Sequence, residues 1–206
     1  MKTNADVIVI GSGIIGSATA YYLAKNGLDV IVLEKDNVIG NGSSSRNGGG
    51  VRQSGRDIRE LPLAMYGVQN LWPHLSEELD MDVEYHHDGN LRLGKTKEHL
   101  VKLKQLADNA SAVGLDVTMI DADEIKKICP YMSDEVIGAS WCPTDGHANP
   151  LLATLAYYTK ARKLGVQYYS GVAVERLGII KGKVRRVYTN EGVFEAETIV
   201  VAAGIG

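Results

Sequence analysis

DVIVIGSGIIG, residues 6–16, is a short apolar strand that leads directly into the motif Gly11-x-Gly13-x-x-Gly16. The helical segment SATAYYLAKNG follows, and a second apolar strand, VIVLE, ends on Glu34, 18 residues after Gly16. In such a motif the first glycine permits a tight turn, the second lets a pyrophosphate approach the backbone, and the third allows close packing of helix on strand. A carboxylate at the position of Glu34 accepts a hydrogen bond from an adenosine ribose and repels the 2′-phosphate of NADP. The stretch therefore predicts a dinucleotide-binding βαβ unit.

The composition excludes several classes of function. The chain has 206 residues and a formal net charge of −3, and its basic residues are scattered, which argues against a nucleic-acid partner. No apolar run approaches the roughly 20 residues of a membrane span, and the first residues lack the layout of a signal peptide. Cys129 and Cys142 form no CxxC pair, and no histidine spacing resembles a zinc site. We therefore expect a cytoplasmic protein with two reduced thiols, no metal and no membrane span.

The organisation along the chain predicts an α/β fold. Segment 198–202 reads as another buried parallel strand that ends in small residues, so the chain begins and ends on strands of a nucleotide-binding fold. We assign residues 1–80 and 147–206 to a discontinuous Rossmann-like domain. Residues 81–146 form an inserted α+β segment.

Local signals fill in this outline. Apolar spacing predicts a helix over 57–80 with a bend near Pro73. Asp88-Gly89 predicts a hairpin within 83–94. Asp121 and Glu124 have the spacing of a capping box before a short helix.

Residues 40–56, GNGSSSRNGGGVRQSGR, are rich in glycine, serine and asparagine. Composition alone is typical of a flexible linker. The segment nevertheless lies just beyond the second strand, where the far end of a bound dinucleotide would extend. Arg46 and Arg52 within it are suited to an anion, either phosphate or carboxylate, and equally to a solvated surface.

Four motifs in this order resemble the FAD-dependent amine and amino-acid oxidoreductases of the D-amino-acid oxidase superfamily. They are VIVIGSGIIGSATAYYLAKNG with VLEK, SSSRNGGGVRQ, DGHANPLL and IVVAAGIG. The resemblance extends over essentially the whole chain and is greatest to the branch that contains glycine oxidase, the sarcosine oxidase β-subunit and opine or hydroxyproline dehydrogenases. It implies a Rossmann-like FAD-binding domain, with residues 81–146 as part of a substrate domain.

The resemblance also implies which residues bind the cofactor. They are Gly11, Gly13, Ile14, Ile15, Gly16, Glu34, Lys35, Ser43, Ser44, Ser45, Arg46, Asn47, Gly48, Gly49, Gly50, Val174, Ala202, Ala203 and Gly204. The first five would cradle the pyrophosphate, Glu34 and Lys35 the ribose, and the small residues of 43–50 would lie under the flavin ring. Ala148 stands where the sarcosine oxidase β-subunit has its flavin-linking histidine, so we expect non-covalent FAD.

The implied reaction is oxidation of the C–N bond of a small amine or amino acid, of the sarcosine, glycine, D-amino acid, proline or opine type, to an imine. A partner subunit for electron transfer is compatible with this branch. Family members are nearly twice as long, so we expect an incomplete chain whose catalytic residues lie beyond residue 206. A catalytically incomplete dinucleotide-binding module or subunit is the main alternative, and an NAD-linked dehydrogenase is another.

Overall fold

The computed structural model describes residues 1–205 and contains eleven strands and six α-helices in that range. The strands are β1 (Asn4–Ile10), β2 (Val30–Glu34), β3 (Gly50–Val51), β4 (Asn90–Gly94), β5 (Thr118–Asp121), β6 (Gly138–Cys142), β7 (Gly146–His147), β8 (Gln167–Ser170), β9 (Val174–Ile180), β10 (Lys183–Thr189) and β11 (Gly192–Val201). The helices are α1 (Ile14–Lys25), α2 (Leu61–Asn70), α3 (Leu75–Glu78), α4 (Lys97–Ser111), α5 (Ala122–Ile128) and α6 (Pro150–Lys163), with 3₁₀ turns at Ser43–Ser45 and Trp72–His74.

The chain divides into two compact units. The first comprises Met1–Gly48, Leu79–Val83 and the chain from Asn149 onward, and the second comprises Gly49–Glu78 and Glu84–Ala148. The sequence placed the first boundary at residue 80, whereas Gly49–Glu78 pack within the second unit. Two contacts explain this difference: β3 pairs with β7, and Leu61 of α2 lies in one apolar cluster with Ala107 and Ala110 of α4.

The first unit is built on a six-stranded sheet in the order β8-β2-β1-β11-β10-β9. The strands β8, β2, β1 and β11 are parallel, and β10 and β9 extend the sheet antiparallel. Val7, Ile8 and Val9 are all buried, as a continuous apolar run is when both faces of a parallel strand are covered. The predicted α/β, Rossmann-like fold is confirmed, with β1 and β11 as its paired first and last strands.

The two faces of this sheet are covered differently. Helices α1 and α6 pack together, with the rings of Tyr21 and Tyr157 at 5.7 Å between centroids. A separate cluster contains Ile8, Ile31, Val187 and Phe194, which brings β1 and β2 together with the antiparallel strands. Segment 198–202, expected to be a strand of its own, forms the end of the longer strand β11, whose pairing passes from β10 to β1 without interruption.

The second unit combines helices and strands and contains most of the segment 81–146 that the sequence assigned to an α+β insertion. Its main sheet has the order β4-β6-β5 and is antiparallel. The hairpin expected at Asp88-Gly89 is wrong, because β4 pairs with the distant β6. Gly89 instead accommodates the indole of Trp141, which lies 2.0 Å from where a Cβ would stand. The helix expected over 57–80 begins only at Leu61 and is interrupted at Pro73 as predicted.

The capping box at the start of α5 is present. The Asp121 carboxylate accepts from the Glu124 backbone N–H at 2.9 Å, and the Glu124 carboxylate accepts from the Asp121 N–H at 3.1 Å. We expect Asp121→Ala to lower the free energy of unfolding by about 1 kcal/mol in urea titrations, because the N-cap acceptor is lost. Asp123→Ala, which alters an exposed carboxylate in the same turn, is the control. Equal effects of the two substitutions would contradict the capping role.

Among the described residues, no helix combines the length and the apolar character needed to cross a membrane.

Candidate functional site

The glycine turn after β1 leaves no room for a side chain at its first position. The Gly11 N–H donates to the Leu33 carbonyl at 2.8 Å, and its φ of +102° lies in the left-handed region. A Cβ on Gly11 would stand 2.4 Å from the carbonyl oxygen of Ala202. The tight turn expected at Gly11 is therefore accompanied by close approach of the segment after β11.

Gly16 brings the helix onto the turn. A Cβ at this position would lie 1.9 Å from the carbonyl oxygen of Gly11, which is part of the backbone and cannot move aside as a side chain can. Gly16 is buried in the first turn of α1. The close packing of helix and strand that the sequence predicted is thus a direct backbone contact.

The N-terminus of α1 presents backbone donors. Gly13 is its N-cap residue and provides no side-chain cap, and the first turn contains no acidic side chain. The Ile14 N–H donates to the Ser44 Oγ at 2.9 Å, whereas among residues 1–205 the N–H groups of Ile15 and Gly16 have no acceptor. Free N–H groups and the positive end of the helix dipole together favour an anion here.

Glu34, at the end of β2, accepts hydrogen bonds from this turn. Its Oε2 accepts from the Ser12 N–H at 2.8 Å and from the Ser12 hydroxyl at 2.7 Å, and its Oε1 accepts from the Asp36 N–H at 2.9 Å. A carboxylate has about four lone-pair sites, so capacity for one further donor, such as a ribose hydroxyl, remains. Sequence reasoning missed the fully buried Ser12, because a serine between two glycines carries no signal of a partner 22 residues away.

The serine tract folds back onto the helix start. Ser43–Ser45 form a 3₁₀ turn, and the Ser44 hydroxyl lies 2.9 Å from where a Cβ on Gly13 would stand. The Asn47 side-chain amide donates to the Ser43 carbonyl at 2.9 Å, which closes the turn. The linker interpretation is therefore wrong for this part of 40–56, which is packed beside the glycine turn.

Three further candidates of the first unit, Ala202, Ala203 and Val174, follow β11 or begin β9. The Ala202 N–H donates to the Ile10 carbonyl at 2.8 Å, and the Ala203 Cα is 3.1 Å from where a Cβ on Gly11 would stand. Val174 begins β9, two residues after Val172, whose N–H donates to the Glu34 carbonyl at 2.8 Å. The segment before β9 therefore contacts the end of β2, and the residues after β11 contact the end of β1.

Lys35 and Arg46 lie at the surface of the first unit. Lys35 is exposed directly after Glu34. The Arg46 guanidinium donates to the backbone carbonyl and the side chain of Asn41. Gly48 has open space where a Cβ would be.

Gly49 and Gly50 belong to the second unit. The Gly49 carbonyl accepts from the Ala148 N–H at 2.9 Å, and Gly50 pairs with His147. The eight-residue tract predicted as one cofactor segment therefore begins in one compact unit and ends in the other.

Tyr168 on β8 supplies a pH-dependent property of the first unit. Burial raises its pKa to about 12, above the ordinary value of about 10. The folded chain therefore favours the protonated phenol of Tyr168. The free energy of unfolding that this contributes is complete below pH ~10 and is lost as the pH rises through about 12. Phenolate absorbance should show a late-titrating group that Tyr168→Phe removes and that Tyr131→Phe, at a 97% exposed side chain, leaves in place. A late phase that persists in Tyr168→Phe contradicts the assignment.

The geometry fits the diphosphate and ribose of a dinucleotide. Glycines keep the space at the helix start clear, backbone donors remain free there, and a carboxylate stands at the end of the neighbouring strand. Within the described part of the chain, no three His, Cys, Asp or Glu side chains are grouped to hold a metal ion.

Comparison with known proteins agrees with this geometry. The sarcosine oxidase subunit beta of an Arthrobacter species is 32% identical over 98% of this chain and 51% of its own length. The pyruvate dehydrogenase phosphatase regulatory subunit of Mus musculus is 28% identical over 99% of this chain and 23% of its own. The crystal structure of L-proline dehydrogenase from P. horikoshii superimposes with a TM-score of 0.89 and 33% identity, over 98% of this chain and 53% of that one.

The chain therefore spans between about a quarter and about half the length of these relatives. The model of the family described as FAD dependent oxidoreductase matches residues 6–206. The match confirms FAD as the cofactor that the resemblance implied. With nearly every residue inside that match, the chain belongs to the DAO family of FAD dependent oxidoreductases.

Proposed function

We propose that the protein oxidises the C–N bond of a small amine or amino acid to an imine. The observation that carries the proposal is the glycine turn with free backbone N–H groups at the start of α1, in a chain that belongs to the FAD dependent oxidoreductases. Two relatives are named for sarcosine and L-proline, both small secondary amines with a carboxylate. The substrate class therefore includes these compounds and the related glycine, D-amino acid and opine types.

Non-covalent FAD would be held by backbone and small side chains. Ile15 and Gly16 would donate N–H groups to the diphosphate, Glu34 would accept from the ribose, and Ser44 would stand beside the diphosphate. The remaining candidate contacts are Gly11, Gly13, Ile14, Lys35, Ser43, Ser45, Arg46, Asn47, Gly48, Gly49, Gly50, Val174, Ala202, Ala203 and Gly204. Bound FAD supplies the acceptor for a hydride from the carbon that bears the amine.

The proposed contribution of this chain is to orient FAD and to exclude water from it. The first unit is the proposed FAD-binding domain, and the second is proposed as part of the substrate domain. We assign no catalytic side chain within residues 1–205, because none of them is identified as a catalytic acid, a catalytic base or a clamp for a substrate carboxylate. The proposed chemistry thus relies on cofactor position.

Two further features belong to this proposal. A partner subunit that accepts electrons is proposed because two relatives are named as subunits. A cytoplasmic location is proposed because Cys129 and Cys142 are both free thiols, as is usual in a reducing compartment.

One specific observation favours a second function. A relative that matches over 99% of this chain is named as a regulatory subunit. A catalytically incomplete dinucleotide-binding module or subunit is therefore the alternative to the enzyme.

Anaerobic titration distinguishes these functions. The purified protein should carry the visible absorption of bound flavin, and sarcosine, glycine or L-proline should bleach it in the absence of oxygen. A yellow protein that no amine bleaches supports the subunit alternative. A colourless protein that binds NAD rejects the flavin-dependent oxidation of an amine.

A further inference from the structure

Ser12 is a fully buried serine between Gly11 and Gly13. Both of its donors meet the same atom, since its N–H and its hydroxyl donate to Glu34 Oε2 at 2.8 Å and 2.7 Å. A serine hydroxyl carries a single proton, and here that proton is already bonded to the carboxylate. Ser12 is therefore a partner of Glu34 and not a hydroxyl donor to a diphosphate at the helix start.

The other carboxylate oxygen of Glu34 has a separate donor. Oε1 accepts from the Asp36 N–H at 2.9 Å. One bond to each oxygen would leave the carboxylate able to tilt, whereas three donors on two oxygens determine its plane. Hydrogen bonds to a charged acceptor are also stronger than neutral ones. The orientation of Glu34 is thus set within the first compact unit, which contains all three residues.

This arrangement determines which oxygen remains open to a ligand. A carboxylate has about four lone-pair sites, two on each oxygen. Ser12 fills both sites of Oε2, and Asp36 fills one of Oε1. A ribose hydroxyl that donates to Glu34 would therefore be accepted by Oε1.

We propose that Ser12 is a positioning residue for the adenosine ribose of FAD: its hydroxyl holds Glu34 Oε2 and so directs Oε1 towards the ribose. The inference rests on the proposed function, which gives Glu34 the ribose contact. It adds a residue that acts on the cofactor only through Glu34. Functional groups held in this way by a second layer of hydrogen bonds bind more precisely than unsupported ones.

The test compares the affinity for FAD with that for an FAD analogue whose adenosine ribose lacks both hydroxyls. The unaltered protein should bind FAD about tenfold more tightly than the analogue. Ser12→Ala removes the hydroxyl and keeps the N–H, and we expect about fivefold weaker binding of FAD and unchanged binding of the analogue. The preference for FAD then falls to about twofold. In a Glu34→Ala background, Ser12→Ala should not alter the preference further.

Glu34→Gln provides a second variant, should Ser12→Ala not fold. Two donors from Ser12 compete with one from Asp36 for the single amide oxygen, so the oxygen should face Ser12 and the amide NH₂ should face the ribose. The preference for FAD should then disappear. Ser17→Ala is the matched control, because the buried Ser17 hydroxyl donates to the Ser12 carbonyl at 3.1 Å and does not contact Glu34. Its preference for FAD should equal that of the unaltered protein.

The outcomes separate positioning from structural support. Equal weakening of FAD and the analogue in Ser12→Ala, or a preference for FAD that survives Glu34→Gln, overturns the inference. Equal affinities of the unaltered protein for the two flavins also overturn it, while bleaching of bound FAD by an amine would leave the proposed oxidation standing. An unaltered protein that binds neither flavin overturns both.

Discussion

Gly16→Ala is expected to lower the free energy of unfolding by about 3 kcal/mol and to abolish detectable FAD binding. The added methyl would stand 1.9 Å from the Gly11 carbonyl oxygen, so either the helix or the turn must move. The start of the helix and the glycine turn together form the proposed diphosphate site. A shift of either one displaces the N–H groups that would bind the diphosphate. Urea denaturation and FAD titration measure the two effects.

Gly67→Ala is the matched control for this substitution. Gly67 lies inside α2 and has open space where the new Cβ would be. Alanine is favoured over glycine in a helix by up to about 1 kcal/mol, so this variant should be slightly more stable than the unaltered protein. A Gly16→Ala variant that is as stable as Gly67→Ala would show that the contact between helix and turn is not tight.

Glu34→Ala is expected to weaken FAD binding by at least about thirtyfold and to destabilise the first unit by about 2 kcal/mol. The loss of affinity follows from the missing ribose acceptor. The loss of stability follows because the Ser12 N–H and hydroxyl, now buried without an acceptor, keep their desolvation penalty. Fluorescence titration with FAD and urea denaturation report the two quantities separately.

Glu197→Gln is the control for a carboxylate on the same unit. Glu197 is 79% exposed and paired with Arg185, and exposed pairs of this kind contribute less than about 1 kcal/mol. Its variant should bind FAD as the unaltered protein does. A Glu34→Ala variant that retains both stability and affinity would mean that Glu34 neither supports the turn nor contacts the ribose.

The elements that the sequence predicted best are those with local causes. The β1 to β2 stretch follows from apolar runs and three glycines, which act within a few residues. The capping box at Asp121 is local as well. In the site, Gly11 and Gly16 were predictable because their backbone roles are fixed by the motif itself.

The errors concern contacts between distant segments. The turn at Gly89 indicated a hairpin, but β4 pairs over its whole length with β6, a strand about 50 residues further along the chain. The division of the glycine tract after Gly48 depends on β7, about 100 residues later in the chain. Ser12 carries no local signal, since its role depends on the carboxylate of Glu34, 22 residues away.

The central claim is that the start of α1 binds the diphosphate of FAD. Calorimetric titration of the protein with FAD and with FMN, which has the same ring but lacks the adenylate half, tests it most directly. We predict that FAD binds at least about 100-fold more tightly than FMN and that Gly16→Ala removes this preference. Equal affinities for the two flavins, or a preference for FAD that survives Gly16→Ala, would contradict it.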